Sequence, residues 1–333
     1  MTSWDKLAEK VLNGEELSDE QALAVLNSPD DELLGLLQAA YKVRSQYYGN
    51  KVKLNMIINT KSGLCPENCG YCSQSIRSTA PIEKYRMVDK ESILQGAKRA
   101  YELQAGTYCI VASGRGPSNK EIEHVTEAVK EIKDKYKLKV CACLGLLKPE
   151  QAARLKAAGV DRYNHNLNTS ASHHEQITTT HTYNDRVETV NIAKASGISP
   201  CSGVIIGMKE QKEDVVSMAR SLKALDADSI PVNFLHAIDG TPLEGTDELD
   251  PRYCLKVLCL FRFINPTKEI RISGGREVNL GSLQPLGLYP ANSIFVGDYL
   301  TTAGQETTAD HKMIEEMGFE VEFASEKEQQ PVI

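Results

Sequence analysis

The stretch NKEIEHVTEAVKEIKDKYKLKVCACL, residues 119–144, shows the pattern on which the predicted fold rests. Its first part, residues 119–136, is amphipathic and typical of a helix, and its last part, residues 138–144, is a short apolar run typical of a buried strand. Similar apolar or β-branched runs recur after residue 50, and helix-like segments separate most of them. The sequence predicts eight strands: Leu54–Thr60, Thr107–Ser113, Leu138–Leu144, Val160–Asn166, Pro200–Ile206, Ile230–Leu235, Glu269–Ser273 and Ser293–Val296.

Alternation of strand and helix repeated eight times indicates the α/β fold class and, within it, a (β/α)₈ TIM-type barrel. The segment before the first strand has a helical pattern instead, with Ser18 as a candidate N-cap in LSDEQALAVLNS. We therefore predict N-terminal helices over residues 1–50, a barrel over residues 51–320 and a C-terminal tail over residues 321–333.

Composition narrows the class of protein. Of the 333 residues, 41% are hydrophobic and 25% charged, as in an ordinary soluble globular protein. The formal net charge of −7 argues against a nucleic acid or an anionic membrane as partner. The sequence contains no long apolar run and no signal-peptide pattern at its start, so we expect a cytoplasmic protein without membrane contact.

The nine cysteines favour metal binding or catalysis over a disulfide framework, because their number is odd and no export signal precedes them. Cys65, Cys69 and Cys72 lie in KSGLCPENCGYCSQS with the spacing C-x₃-C-x₂-C, directly after the first predicted strand. In a barrel, that position belongs to a loop at the catalytic face.

Three thiolates at this spacing can bind a 4Fe–4S cluster and leave its fourth iron open, since such clusters usually take four cysteines. The open iron can chelate the amino and carboxylate groups of the methionine portion of S-adenosylmethionine. An aromatic residue, Tyr71, precedes the third cysteine. The alternative is a zinc site, which would require a fourth ligand nearby.

More cysteines fall within predicted strands: Cys109, Cys141, Cys143 and Cys201. A lone buried cysteine is usually a packing residue, but several on barrel strands could converge inside the barrel. Arg271 belongs to the seventh predicted strand, where a charge costs several kcal/mol unless it is paired or ligated. Its spacing alone favours an ion pair with a carboxylate at the mouth of the barrel.

Seven motifs between about residue 50 and about residue 318 resemble those of the biotin synthase family of radical S-adenosylmethionine enzymes. They are GLCPENCGYCSQS, YNHNLNTS, TTHTYNDR, CSGVIIG, IPVNFL, IRISGGRE and ANSIFVGDYLTT. The resemblance implies an enzyme that inserts sulfur between C6 and C9 of dethiobiotin to form biotin. A homodimer and an electron donor such as flavodoxin or ferredoxin are also implied.

The resemblance assigns a role to each matching residue. The loop cysteines would bind the 4Fe–4S cluster, and a 2Fe–2S cluster deeper in the barrel would take Cys109, Cys141, Cys201 and Arg271 as ligands. Residues expected to bind S-adenosylmethionine are Tyr71, Asn166, Asn168, Arg186 and Ile205, and those expected to contact the substrate are Asn166 and Asn233. Asn168 replaces the aspartate usual in the family, so it can accept a hydrogen bond but carries no charge.

In the mechanism that the resemblance implies, reduced 4Fe–4S cluster cleaves S-adenosylmethionine to a 5′-deoxyadenosyl radical. This radical abstracts hydrogen from dethiobiotin, and a sulfide of the second cluster traps the carbon radical. No acid–base residue is expected, because the C–H bonds attacked have no useful acidity and the cofactor must perform the difficult step.

Cys143 leaves two interpretations open. It lies two residues from Cys141 in a strand, so both side chains point to the same face. It is either an additional thiolate near the second cluster or a small residue that fills the core. Cys254 and Cys259 lie in the helical stretch PRYCLKVLCLF and are expected to be packing residues.

Two rival functions remain at this point. Another radical S-adenosylmethionine enzyme of the same barrel type, mutase-like or involved in hydrogenase maturation, would not require the four inner ligands together. A zinc- or iron-binding regulatory protein without catalysis is the rival from another class.

Overall fold

The computed structural model describes residues 3–246 and 249–323. Within these residues, the strands are β1 Lys51–Lys61, β2 Thr107–Ala112, β3 Lys139–Cys143, β4 Arg162–Asn164, β5 Ser199–Cys201, β6 Val204–Ile206, β7 Ser229–Phe234, β8 Glu269–Ile272, β9 Ser293–Phe295 and β10 Glu320–Glu322. The α-helices are α1 Ser3–Leu12, α2 Asp19–Leu26, α3 Leu33–Tyr48, α4 Lys90–Glu102, α5 Asn119–Lys135, α6 Pro149–Ala157, α7 His174–Ile177, α8 Tyr183–Ala195, α9 Lys212–Ala224, α10 Pro251–Ile264, α11 Arg276–Leu280 and α12 Thr307–Glu316. Two 3₁₀ segments span Asp30–Glu32 and Gly281–Leu288.

The strands from β1 to β9 form a closed parallel barrel. Each pairs with the next strand along the chain, except that β5 and β6 both pair with β7; β9 pairs with both β8 and β1, where Ser293 lies opposite Lys53. Helices surround the strands, so the predicted (β/α)₈ TIM-type barrel is confirmed. A barrel of this kind presents the carboxyl ends of all its strands at one face.

One segment shows how the sequence builds a barrel unit. Helix α5 begins at a capping box, in which Ser118 Oγ accepts from the N–H of Glu121 and the Glu121 carboxylate accepts from the N–H of Ser118. The helix buries one apolar face, made up of Ile122, Val125, Val129 and Ile132. Burial of this face packs the helix on the barrel and fixes the start of β3.

The fifth predicted strand, Pro200–Ile206, is two short strands in the structure. Its first part, β5, pairs with β4 and β7, whereas β6 pairs with β7 alone. Gly203 separates them, and a Cβ at this position would lie 1.9 Å from the carbonyl oxygen of Pro231. Only glycine allows this close approach of two backbones, which breaks the strand at this point.

The N-terminal helices α1, α2 and α3 pack against α10, whose side chains are buried from Cys254 to Ile264. Cys254 and Cys259 are fully enclosed in this apolar core. After the barrel, β10 pairs with β1 through Lys51 and Glu320, so residues 321 and 322 of the predicted tail belong to a strand. The rest of that tail, from residue 324 onward, lies outside the described residues.

Over the part of the chain that the structure describes, the helices are all too short or too polar to cross a lipid bilayer.

Candidate active site

The carboxyl ends of the barrel strands surround a cavity of about 410 Å³. Two groups of cysteines reach it from different depths. Cys65, Cys69 and Cys72 reach it from the loop after β1, whereas Cys109 and Cys141 are the third residues of β2 and β3 and lie inside the barrel. The cavity therefore has an outer and an inner set of sulfur donors.

The outer set lies on a loop that the segment after α7 holds in place. Gly70 N–H donates to the carbonyl of Ile177 at 2.9 Å, and Asn68 Oδ1 accepts from the hydroxyl of Thr178 at 2.9 Å. Within the loop, Cys72 N–H donates to the carbonyl of Cys69 at 3.2 Å, which turns the chain between these two cysteines.

Glu67 is a second anchor of this loop. Its buried carboxylate accepts from Thr180 Oγ1 at 2.5 Å, from Arg115 Nη1 at 3.0 Å and from His181 Nδ1. Burial opposes ionisation of Glu67, but the hydrogen bonds from Thr180 and His181 outweigh it and hold its pKa below the ordinary value. The carboxylate thus ties the cysteine loop to residues 180 and 181.

The outer cysteines are partly shielded from water: Cys69 is buried, and Cys65 and Cys72 are half-buried. Burial raises the pKa of Cys65, and it raises the pKa of Cys72 to about 12. Because iron binds the thiolate, binding of a cluster by these cysteines would be coupled to proton release. Among residues 3–246 and 249–323, no three His, Cys, Asp or Glu side chains converge on a single metal ion; the loop thiols border a cavity instead, and a set of soft sulfur donors fits an iron–sulfur cluster.

The inner set comes together inside the barrel. Cys109 lies opposite Cys141 in the β2–β3 register, and the Cys141 thiol also contacts that of Cys201 at the end of β5. Arg271 faces the group from β8, and its charge acts on both Cys141 and Cys201. All four residues are at most 4% exposed. The hydrogen bond with Cys109 and burial raise the pKa of Cys141, although the hydrogen bond with Cys201 lowers it. The hydrogen bond with Cys141 and burial raise the pKa of Cys201, and Arg271 opposes the rise in both thiols.

Arg271 also makes an ion pair, as its spacing suggested, but not at the mouth of the barrel. Its Nη2 lies 2.7 Å from Oε1 of Glu269, which is the first residue of β8 and lies toward the floor of the barrel. Burial raises the pKa of Glu269, but the attraction of Arg162 and Arg271 outweighs it and holds that pKa well below the ordinary value.

Residues expected to bind S-adenosylmethionine form one hydrogen-bonded group above the inner set. With its amide oxygen facing the donors, Asn168 accepts from Tyr71 Oη at 2.6 Å and from Arg186 Nη1 and Nη2 at 3.0 and 3.1 Å. Arg186 Nη1 also donates to the carbonyl of Asn166 at 2.8 Å, and its buried Nε has no partner among the described residues. Asn168 has a φ of 68°, a left-handed conformation that asparagine tolerates.

Asn233 and Ile205 line the same cavity from β7 and β6. Asn233 Nδ2 donates to the carbonyl of Val204 at 2.9 Å, and its Oδ1 accepts from Gly274 N–H at 3.0 Å, so backbone contacts fix the amide. Cys143 also lines the cavity; burial raises its pKa to about 12, and Cys201 adds to the rise while Arg186 opposes it.

Three further polar residues of the site were not predicted from the sequence. Glu67, His165 and His181 all lie within quoted motifs and line the cavity. The Nε2 atoms of His165 and His181 are buried without a partner among the described residues. Burial holds the pKa of both imidazoles below the ordinary value, so both are neutral at pH 7. The polar residues inside the cysteine and YNHNLNTS motifs were the available signal.

Comparison with protein families matches residues 60–222 to the Radical SAM superfamily and residues 231–320 to the Biotin and Thiamin Synthesis associated domain. Biotin synthase of Geobacillus kaustophilus is 75% identical over 97% of each chain. That of Anoxybacillus flavithermus is 76% identical over 96% of this chain and 98% of the relative. The enzyme of Bacillus subtilis is 72% identical over 98% of this chain and 97% of the relative.

Solved structures share the fold at lower identity. Methylornithine synthase superposes with a TM-score of 0.83 at 22% identity, over 97% of this chain and 99% of the other. The FeFe-hydrogenase maturase HydG from Carboxydothermus hydrogenoformans gives a TM-score of 0.81 at 17% identity, over 98% of this chain and 81% of the other. These two likenesses concern the fold, whereas the identities of 72–76% over nearly the full chain show descent: the chain belongs to the biotin synthase family of radical S-adenosylmethionine enzymes.

Proposed function

We propose that this protein is a radical S-adenosylmethionine sulfurtransferase that inserts sulfur between C6 and C9 of dethiobiotin and so forms biotin. The observation that carries the proposal is the convergence of Cys109, Cys141, Cys201 and Arg271 inside the barrel, below the cysteine loop. An enzyme that only generates a radical would not require this second donor set. Membership of the biotin synthase family supports the same reaction.

Each donor set would hold one cofactor. Cys65, Cys69 and Cys72 hold the 4Fe–4S cluster, and the inner cysteines with Arg271 hold the 2Fe–2S cluster. When bound, the first cluster supplies the electron that cleaves S-adenosylmethionine and the second supplies the sulfur. The chain contributes shielding and position: its inner donors are buried, and backbone and side-chain hydrogen bonds hold its outer loop.

The residues between the two sets suit S-adenosylmethionine. A guanidinium is planar and complementary to a carboxylate, so Arg186 binds the methionyl carboxylate with Tyr71 and Asn168 holding it in place. Ile205 offers an aliphatic surface to the adenine, and the fixed amides of Asn166 and Asn233 contact the nucleoside and the substrate.

Dethiobiotin would occupy the part of the cavity next to the inner set. Ile57, Val111 and Phe295 give this region an apolar lining, which suits a substrate attacked at unactivated carbons. Enclosure within the barrel keeps water from a radical and holds reacting atoms close together.

Family resemblance is the basis on which we propose flavodoxin or ferredoxin as the electron donor and a homodimer as the assembly. The sequence pattern is the basis on which we propose the cytoplasm as the location and a division into N-terminal helices over 1–50, a barrel over 51–320 and a tail over 321–333, from which the strand pairing of residues 321 and 322 departs.

The test is an anaerobic assay of the reconstituted protein with dethiobiotin, S-adenosylmethionine and a low-potential reductant. We expect biotin and 5′-deoxyadenosine, with neither product when the reductant is omitted. Cleavage of S-adenosylmethionine without biotin would indicate a radical enzyme that acts on another substrate. A colourless protein that binds zinc after anaerobic purification would support the regulatory alternative.

A further inference from the structure

A buried carboxylate lies beneath the inner donor set, between two arginines. Glu269 is 2% exposed. Its Oε1 accepts from Arg271 Nη2 at 2.7 Å, and its Oε2 accepts from Arg162 Nη1 at 2.8 Å. Lys53 Nζ approaches Oε2 at 3.4 Å. Glu269 therefore joins Arg271 to a second buried cation on β4.

Two serines also connect Arg271 to Glu269 through hydrogen bonds. Ser229 Oγ accepts from Arg271 Nη2 at 2.7 Å, and Ser293 Oγ accepts from Arg271 Nε at 3.3 Å. Both hydroxyls in turn donate to Glu269 Oε1, at 3.0 and 3.1 Å. Glu269 thus orients both serines as well as the guanidinium.

The network leaves one nitrogen of Arg271 available. Its Nε and Nη2 are both engaged, and Nη1 makes no hydrogen bond within residues 3–246 and 249–323. The guanidinium is planar, so fixing two of its nitrogens fixes the direction of the third. The ring of Phe295, 5.0 Å from the guanidinium carbon, also restrains the plane. Arg271 lines the same cavity as Cys109 and Cys141.

We propose that Glu269, anchored by Arg162, is the positioning residue for Arg271: it turns the guanidinium so that Nη1 faces the inner cysteines and the 2Fe–2S cluster they hold. The proposal rests on the proposed function, because it takes Arg271 as a ligand of that cluster. A carboxylate that served only to balance buried charge would not determine which nitrogen faces the cavity.

Glu269→Gln in the full chain, reconstituted anaerobically, tests the proposal. Glutamine has one acceptor oxygen where the carboxylate has two, so either Arg271 or Arg162 loses its partner. We expect altered Mössbauer and absorption spectra of the 2Fe–2S cluster and its loss to a chelator roughly 10–100-fold faster, the range typical of residues that orient a ligand. The 4Fe–4S signals should remain as in the wild type.

The matched control is Asp310→Asn. Asp310 is fully buried and accepts from Arg276 Nη2 at 2.7 Å, so it is an equivalent carboxylate–arginine pair outside the inner set. This variant should leave both cluster spectra unchanged even if it lowers the free energy of unfolding. Spectral changes as large in Asp310→Asn as in Glu269→Gln would overturn the proposal, because they would follow from lost stability alone.

Two more variants distinguish an error in the ligand assignment of Arg271 from an error in the positioning role of Glu269. Arg271→Met should change the 2Fe–2S spectrum strongly; an unchanged spectrum would contradict the ligand assignment in the proposed function. A changed spectrum in Arg271→Met together with wild-type spectra and chelation rates in Glu269→Gln would overturn the positioning role alone. Should Glu269→Gln fail to fold, Arg162→Gln removes only the anchor, and it should shift the same signals by a smaller amount; wild-type spectra there would also overturn the proposal.

Discussion

Cys141 and Cys143 point to the same side of β3, yet they have different neighbours. Cys141 contacts Cys109 and Cys201, whereas Cys143 lies on the cavity wall where Arg186 and Cys201 influence its pKa. The inner set already has four donors without Cys143. This arrangement favours the packing role of the two that the sequence left open.

We therefore expect Cys143→Ala to leave iron and sulfide per chain, and the Mössbauer spectrum, unchanged. Removal of one buried sulfur atom should lower the free energy of unfolding by about 1 kcal/mol. Metal analysis and Mössbauer spectroscopy beside the wild type decide the question. A loss of 2Fe–2S signal in the variant would identify Cys143 as a ligand.

The sequence identified individual donors better than it identified their surroundings. Cysteine spacing is local, so the outer set could be recognised directly, and several cysteines on strands suggested an inner set. The role of Glu269 depends on the register between β7 and β8, which places Ser229 opposite Glu269 and Pro231 opposite Arg271. Such register joins segments distant in sequence and is not a local property. The ion pair itself is local, because Glu269 and Arg271 are two residues apart on β8 and point to the same face, so this partner of Arg271 was available in the sequence.

At the scale of elements, the barrel was predictable because its pattern repeats. An error at one strand end does not change an alternation that occurs eight times, and the observed ends differ by only a few residues in most strands. The split between β5 and β6 depends on contact of Gly203 with Pro231, far away in sequence. Strand β10, Glu320–Glu322, escaped prediction because it is short, charged and without an apolar run.

A surface cluster links three elements and gives a pH-dependent prediction. Asp226, just after α9, accepts from Lys268 Nζ at 2.6 Å and from Lys194 Nζ of α8 at 2.9 Å. The hydrogen bond from Lys268, with that from Lys194, lowers the pKa of Asp226 to about 2. In the unfolded chain the pKa is about 3.9. The stabilisation is thus complete above about pH 4 and is lost as the pH falls toward 2.

Asp226→Asn should therefore lower the free energy of unfolding at pH 7 by about 0.5 kcal/mol, a small effect because water screens exposed ion pairs. The difference from the wild type should disappear as the pH approaches 2. Urea titrations across this range measure it. Lys268→Gln serves as the matched background, in which Asp226→Asn should lower the free energy of unfolding by less. An equal loss of this free energy in both backgrounds at every pH would contradict a stabilising ion pair.

At the scale of the whole molecule, the fold does not decide the reaction. Methylornithine synthase and the hydrogenase maturase HydG share this barrel with TM-scores above 0.8 at identities of 22% and 17%. Function on a shared fold depends on the site. In this chain the candidate site has two levels: a loop set of thiols at the carboxyl face and a buried set of three thiols with one arginine inside the strands.

We propose that the outer set generates the radical and that the inner set determines its use. The most direct test measures 5′-deoxyadenosine and biotin per chain in one anaerobic reaction of the wild type and of Cys141→Ala. We predict both products from the wild type, and continued formation of 5′-deoxyadenosine with biotin reduced below detection in Cys141→Ala. Biotin formed by Cys141→Ala at the wild-type yield would contradict the account.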